Sequence, residues 1–303
     1  MPTSFYSNGK LLLTGEYAIL DGAKGLALPT KFGQYLSLSH SESENFIWNS
    51  LDGNDAVWFS SEFSKNRLET IHTSDPEVAH RLSQILVAAK KLNPLFSPNT
   101  DEVNAVETKV TFPRDWGLGT SSTLIANIAS WAEINPYELL EATFGGSGYD
   151  IACATHKTPI TYQRNGFSPN IQEVSFKPNF EDRLFFVYLN EKKNSRDAIT
   201  SYRNLNFNKT ELLSAINNIT DKILSCTSLK EFEHLLNQHE NILSKTLQVQ
   251  TIKSTLFADY SHTIKSLGAW GGDFVLAIGT EDDMVYFKNK GYHTVLPYQK
   301  MIL

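Results

Sequence analysis

One segment constrains this chain more than any other. A strand-like stretch, Val103 to Phe112, runs into Pro113-Arg114-Asp115-Trp116-Gly117-Leu118-Gly119-Thr120-Ser121-Ser122. The run Thr123-Leu124-Ile125-Ala126-Asn127-Ile128-Ala129 follows at once and reads as a buried helix. A glycine-containing, hydroxyl-rich loop therefore opens a helix directly after a strand. Glycine lets backbone N–H groups approach an anion closely. The first helical turn leaves N–H groups unpaired and carries a partial positive charge. Together these make a phosphate cradle. The three hydroxyls can cap the helix, bind phosphate oxygens or ligate magnesium. The same residues also read as an ordinary loop and N-cap, and the lack of a lysine at the helix start excludes a Walker A loop.

The rest of the chain bounds the choice. At 303 residues it is long enough for two domains. A hydrophobic content of 41% and a charged content of 20% suit a globular protein. A net charge of −6 argues against a general nucleic-acid binder. No apolar run is long enough to span a bilayer, and Met1-Pro2-Thr3-Ser4-Phe5 lacks the features of a signal peptide. Cys153 and Cys226 make neither a disulfide framework nor a zinc site, and Cys153 reads as a small core residue. The expected location is the cytoplasm.

Periodicity gives mixed α and β structure. Strands are expected around Tyr6–Leu13, Leu26–Leu38, Phe46–Trp48, Ala56–Ser60 and Pro159–Gln163, with a helix from Pro76 to Leu92 and a short one from Pro136. The stretch Asn165 to Asp182, with Gly166, Pro169 and Pro178, marks a boundary, giving domains 1–170 and 171–303. In the second, Leu184–Leu189 reads as a buried strand. Helices are expected around Ser195–Asn204, Lys209–Cys226, Leu229–Thr246 and from about Gln250 to Leu267. Strands Phe274–Gly279 and His293–Pro297 close it, and the half reads as a small α+β domain.

Three further constellations accompany the glycine loop. In Gly9-Lys10-Leu11-Leu12-Leu13-Thr14-Gly15-Glu16-Tyr17-Ala18, Lys10 reads as a snorkelling edge residue or as a cation held in a cleft. In Gly145-Gly146-Ser147-Gly148-Tyr149-Asp150, the aspartate reads as an N-cap, or as a base that orients a substrate hydroxyl. In Lys265-Ser266-Leu267-Gly268-Ala269-Trp270-Gly271-Gly272-Asp273, a helix is expected to end in a glycine loop, which reads as a C-cap or as a second backbone nest.

These four segments, in this order and across nearly the whole chain, resemble the motifs of the GHMP kinases, most nearly those of the mevalonate and phosphomevalonate kinases. The resemblance implies an α+β, two-domain GHMP kinase fold, with an N-terminal ATP-binding domain like the second domain of ribosomal protein S5 and a ferredoxin-like C-terminal domain. It implies ATP and Mg2+, a small anionic substrate such as mevalonate or phosphomevalonate in isoprenoid precursor synthesis, and a monomer or homodimer with no nucleic-acid or membrane partner. A non-catalytic or regulatory ATP-binding homologue and a diphosphomevalonate decarboxylase-like enzyme are the alternatives.

The resemblance also distributes roles. Asp150 and Lys10 become the catalytic pair, and Gly117, Leu118, Gly119, Thr120, Ser121 and Ser122 the ATP loop. Glu16, Tyr17, Ser147, Gly148, Arg196, Gly268, Gly271, Gly272 and Asp273 become substrate-binding residues. Ser121 becomes a magnesium ligand, and Glu141, with Glu138 nearby, the candidate carboxylate. Trp116 and Trp270 depart from the pattern, standing where small residues are usual, and either fill part of the pocket or stack on a ligand.

Overall fold

The computed structural model describes residues 3–65, 67–192 and 195–303. They form two compact units, and the chain passes between them more than once: one holds residues 1–9, 32–114 and 118–155, the other 10–31, 115–117 and 156–303. The sequence-based division cuts the chain once, near residue 170, whereas these units interleave.

The first strands are β1 (Ser4–Thr14) and β2 (Gly25–Ser39), which pair with each other. In the first unit the later half of β2 is joined by β3 (Phe46–Leu51), β4 (Val57–Phe63), β5 (Thr70–Thr73) and β6 (Ala105–Val110), in the order β5-β4-β3-β6-β2. β6 runs antiparallel to β2, with Gln34 opposite Val110, and parallel to β3. Alternation sets the face: Phe46 and Trp48 on β3, Phe59 and Phe63 on β4 and Val106 on β6 are buried. Helices α1 (Pro76–Leu92), α2 (Thr120–Ala132), α3 (Pro136–Thr143) and α4 (Tyr149–Thr155) belong to the same unit. Leu82, Ile85 and Leu86 of α1, Ile125 and Ile128 of α2, Leu139 of α3 and Ile151 of α4 share one core with those sheet residues. Each such aliphatic side chain contributes about 1.5–3 kcal/mol on burial. Asp75 caps α1, accepting from the amides of Glu77 (3.0 Å) and Val78 (3.2 Å), with Pro76 in the first turn.

In the second unit the start of β2 pairs with β7 (Ile160–Gln163), which pairs with β8 (Asn170–Glu173). A separate antiparallel sheet contains β9 (Leu184–Tyr188), β10 (Ile264–Ser266), β11 (Phe274–Ile278) and β12 (Val295–Pro297), in the order β10-β11-β9-β12. Every residue of β9 and β11 is buried, so these strands read as continuous apolar runs. Helices α5 (Ser195–Arg203), α6 (Lys209–Ser225) and α7 (Leu229–Leu247) follow β9, and α6 packs on α7.

One expected element is corrected here. The helix expected from Gln250 to Leu267 is only α8 (Ile252–Leu256), and β10 follows. Phe257, Tyr260, Ile264 and Leu267 are all buried at spacings that mimic a helix. They are buried by a turn and a strand instead: the Tyr260 hydroxyl donates to Ile278 O (2.7 Å), and Ile264 lies opposite Ala277. The glycine segment after Leu267 is therefore the loop of a β10–β11 hairpin, closed by Leu267 N–H to Phe274 O (3.2 Å), and not a helix C-cap. No helix among the described residues is long and apolar enough to cross a membrane.

Candidate active site

The expected strand–loop–helix is present. Gly117 and Gly119 have φ of +65° and +98°, in the left-handed region that glycine tolerates, and Gly119 is the N-cap of α2. An N-cap without a side chain leaves the first-turn amides to whatever binds there. The hydroxyls divide the work. Ser122 is buried and donates to Gly119 O (2.8 Å), which tightens the turn. Thr120 is half-buried, and Ser121 is exposed. Deeper in the helix, Thr123 donates to Gln34 Oε1 (2.7 Å), and Asn127 donates to Gln34 O (2.9 Å) while accepting from Ser7 Oγ (2.8 Å). These bonds fix α2 against β1 and β2.

The same unit carries the third constellation. Gly145, Gly146 and Gly148 all have positive φ, and the chain then enters α4 with Asp150 in its first turn. α4 packs on α2. Ser147 and Asp150 are half-buried, and Gly148 is buried. Glu141 is exposed near the end of α3, and Glu138 lies in that helix's first turn. Among the described residues no group of three or more His, Cys, Asp or Glu is placed to hold a metal ion. The Ser121 hydroxyl and a carboxylate from α3 are hard oxygen donors, the kind that magnesium takes in small number while keeping several waters.

In the second unit, three segments far apart in sequence meet. The Lys10 ammonium donates to Gly117 O (2.9 Å). A Cβ on Gly117 would overlap the Asp273 carboxylate, so any other residue there must displace that side chain. Asp273, at φ +53°, is held at the sheet end by its N–H to Glu191 O (2.7 Å) and its carbonyl to Leu189 N–H (2.8 Å). Trp116 packs edge-on against Phe274, with ring centroids 5.4 Å apart, and the Tyr188 hydroxyl donates to Asp115 O (3.2 Å). Trp116 is thus a wedge that seats the loop on β11. Trp270 packs beside Tyr17, its backbone N–H donating to the Tyr17 hydroxyl (3.2 Å). Gly268 and Gly271 of the same loop have positive φ, and Gly272 lies next to Asp273. The Arg196 side chain lies outside the described residues.

Glu16 has a different environment from the open pocket that a substrate-binding role suggests. It is 1% exposed. Lys265, wholly buried on β10, donates to Glu16 Oε1 and to Ser266 O (2.5 Å), and lies 3.2 Å from Glu240 Oε1. Ser266 donates to Glu240 Oε2 (2.9 Å), and His239 Nε2 accepts from Gly15 N–H (3.0 Å) while lying 3.3 Å from Glu16 Oε2. Burial pushes the Glu16 carboxyl up to about 7, against the pull of the Lys265 ammonium. Burial raises Glu240 as well. Burial and the Lys265 charge hold His239 neutral, well below the usual histidine range. Burial works against the Lys265 charge, but the two glutamates together keep it protonated. One ammonium facing two carboxyls in a dry site favours retention of one extra proton by the pair, and burial raises both Glu16 and Glu240.

His239, Glu240 and this use of Lys265 are absent from the motif reading. A signal was present in α7: His239 and Glu240 fall three and four residues after Leu236, on the stripe that Phe232, Leu235, Leu236 and Leu243 mark as buried.

No protein-family model matches the sequence, and no curated protein matches it. Solved structures do. The mevalonate kinase of Methanococcus jannaschii matches with a TM-score of 0.69 at 17% identity, over 96% of this chain and 95% of that one. The Streptococcus pneumoniae phosphomevalonate kinase, in complex with phosphomevalonate and AMPPNP, matches at 0.67 and 17%, over 95% of each chain. The Lactococcus lactis galactokinase complexed with galactose matches at 0.68 and 16%, over 97% of this chain and 91% of that one. At these identities the likeness speaks to architecture, and it extends over almost all of the chain: this protein has the fold of the GHMP kinases.

Proposed function

We propose that this protein is an ATP-dependent small-molecule kinase of the GHMP type, with mevalonate or phosphomevalonate as the leading acceptors. The observation that carries the reading is the meeting of Lys10, Gly117 and Asp273, from three of the four sequence segments, around one glycine carbonyl and Cα. Gly117 thus has the Lys10 ammonium at its carbonyl and the Asp273 carboxylate at its Cα, a cation and an anion on one positive-φ glycine. The open, glycine-capped start of α2 supports the same reading.

In this mechanism the first-turn amides of Thr120, Ser121 and Ser122 bind the β- and γ-phosphates. Asp150 accepts the acceptor's proton as its oxygen bonds to the γ-phosphorus and the bond to the departing ADP oxygen breaks. Lys10 offsets negative charge on the transferred group, and its hold on Gly117 O keeps the loop in register. Ser121 and Glu141 would hold magnesium, which supplies charge neutralisation on the phosphates. Tyr17, Ser147, Gly148, Arg196, Gly268, Gly271, Gly272 and Asp273 are the proposed acceptor-binding residues.

The test is ADP release from Mg-ATP against mevalonate, phosphomevalonate, diphosphomevalonate, homoserine and galactose. Acceptor-dependent ADP release is expected. Release of phosphate and CO2 from diphosphomevalonate assigns the decarboxylase alternative, and ATP binding without turnover assigns the non-catalytic one. Asp150→Asn is expected to lower turnover about 1,000-fold or more at unchanged thermal stability. Full activity in that variant removes Asp150 from the mechanism.

A further inference from the structure

The turn that carries Tyr17 is strained. Tyr17 has φ +60° and ψ −49°, and Ala18 N–H donates to Glu16 O (2.7 Å), which closes a γ-turn of the rare positive-φ kind. A non-glycine residue in this region is strained and persists only where its surroundings over-determine it. The preceding Gly15 is held by His239, and a Cβ there would come within 2.9 Å of Gly25 Cα. Glu16 is held by Lys265, and the Tyr17 hydroxyl accepts from the Trp270 backbone. Lys265 lies on β10, directly before the loop that contains Trp270. The buried charges thus join both ends of the Tyr17–Trp270 contact: the γ-turn through Glu16, and the hairpin loop through β10.

We propose that Lys265 is a positioning residue which, acting through Glu16, holds the strained Tyr17 turn against the Trp270 loop, so that Glu16 serves Lys265 and not the substrate. The consequence for acceptor binding rests on the kinase reading above; the geometry of the turn does not. The groups facing Glu16 are Lys265 on β10 and His239 and Glu240 on α7. The turn's own residues supply no counter-charge. Lys265 is therefore the partner whose loss releases Glu16, and with it the turn.

The experiment uses the full chain labelled with 5-fluorotryptophan, whose five indoles are Trp48, Trp58, Trp116, Trp131 and Trp270. Trp270→Phe assigns the Trp270 fluorine resonance. In Glu16→Ala that resonance is expected to shift or split while Trp48 and Trp131, buried in the other unit, stay in place and report an intact fold. Glu16→Gln keeps an acceptor oxygen for Lys265 and is expected to restore the resonance. Acceptor KM is expected to rise at least tenfold in Glu16→Ala, with ATP KM unchanged, and to return to within threefold in Glu16→Gln. A higher acceptor KM with an unmoved Trp270 resonance makes Glu16 a direct ligand and overturns the proposal. An unmoved resonance with unchanged KM overturns it as well. Should Lys265→Met fold, it is expected to reproduce the Trp270 shift, and a wild-type spectrum there overturns it too. If the wild-type protein shows no turnover with any acceptor, the kinase reading falls, and the fluorine spectra alone decide the positioning role.

Discussion

The start of α2 and the cluster around Lys265 both manage charge, by opposite means. At α2 the charge is backbone: amides left open by a glycine N-cap, with Ser121 exposed beside them. Around Lys265 it is side chain: an ammonium, two carboxyls and a neutral imidazole, all removed from water. The first arrangement needs no partner until a ligand arrives. The second needs every partner at once, because a buried charge that loses its counter-charge retains its full desolvation cost. The difference teaches where each is vulnerable. The helix start depends first on its glycine backbone, whereas the buried cluster fails on a single side chain.

The largest expected effect tests that vulnerability directly. Lys265→Met leaves Glu16 and Glu240 facing each other without a cation, and is expected to destabilise the protein by about 3–5 kcal/mol in urea unfolding. A loss below about 1 kcal/mol would show that the carboxyls simply take up protons, and would erase the contrast with α2.

The next sharpens it with pH. Folded Glu16 keeps its proton to about 7, against 4.5 for the ordinary group, so between these values the folded state binds the extra proton. Stability contributed by Glu16 therefore falls as pH rises through that window. Glutamine does not titrate. The stability of wild type minus that of Glu16→Gln is expected to decline by about 3 kcal/mol from pH 4.5 to 7, and to be level above it. A difference that stays constant over this range places the proton on another group.

The smallest effect concerns the backbone. Gly117→Ala must adopt a positive φ and displace the Asp273 carboxylate, at a cost of about 1–3 kcal/mol. In the kinase assay its loss is expected mainly in ATP KM. A variant with native stability shows that the Lys10–Gly117–Asp273 contact yields freely, and that the rigidity ascribed to it is absent.

The two regions also differ in how far they could be read from sequence. The strand, loop and helix between Val103 and Ala129 are consecutive, and glycine, proline and serine each act there through their own backbone geometry. Asp75-Pro76 announces α1 in the same local way. The segment from Gln250 to Leu267 misleads for a related reason. Its apolar residues recur at helical intervals, but the pairing of Ile264 with Ala277 and the bond from Tyr260 to Ile278 outweigh local preference. Glu16 was legible as part of a motif, but not as the partner of Lys265, since the two are 249 residues apart.

By itself, then, the sequence determined what near neighbours decide: the glycine-capped start of α2, the turn before Asp150, the alternating strands of the first sheet, and the motif order that resembles one kinase superfamily. Only the tertiary structure decided that Gly117 lies between Lys10 and Asp273, that Tyr17 is strained, and that Glu16 is withdrawn into a buried ion cluster. The physical reason is range. Backbone conformation and capping act over a few residues, whereas desolvation and charge pairing depend on which distant segments the fold brings within about 3 Å of one another.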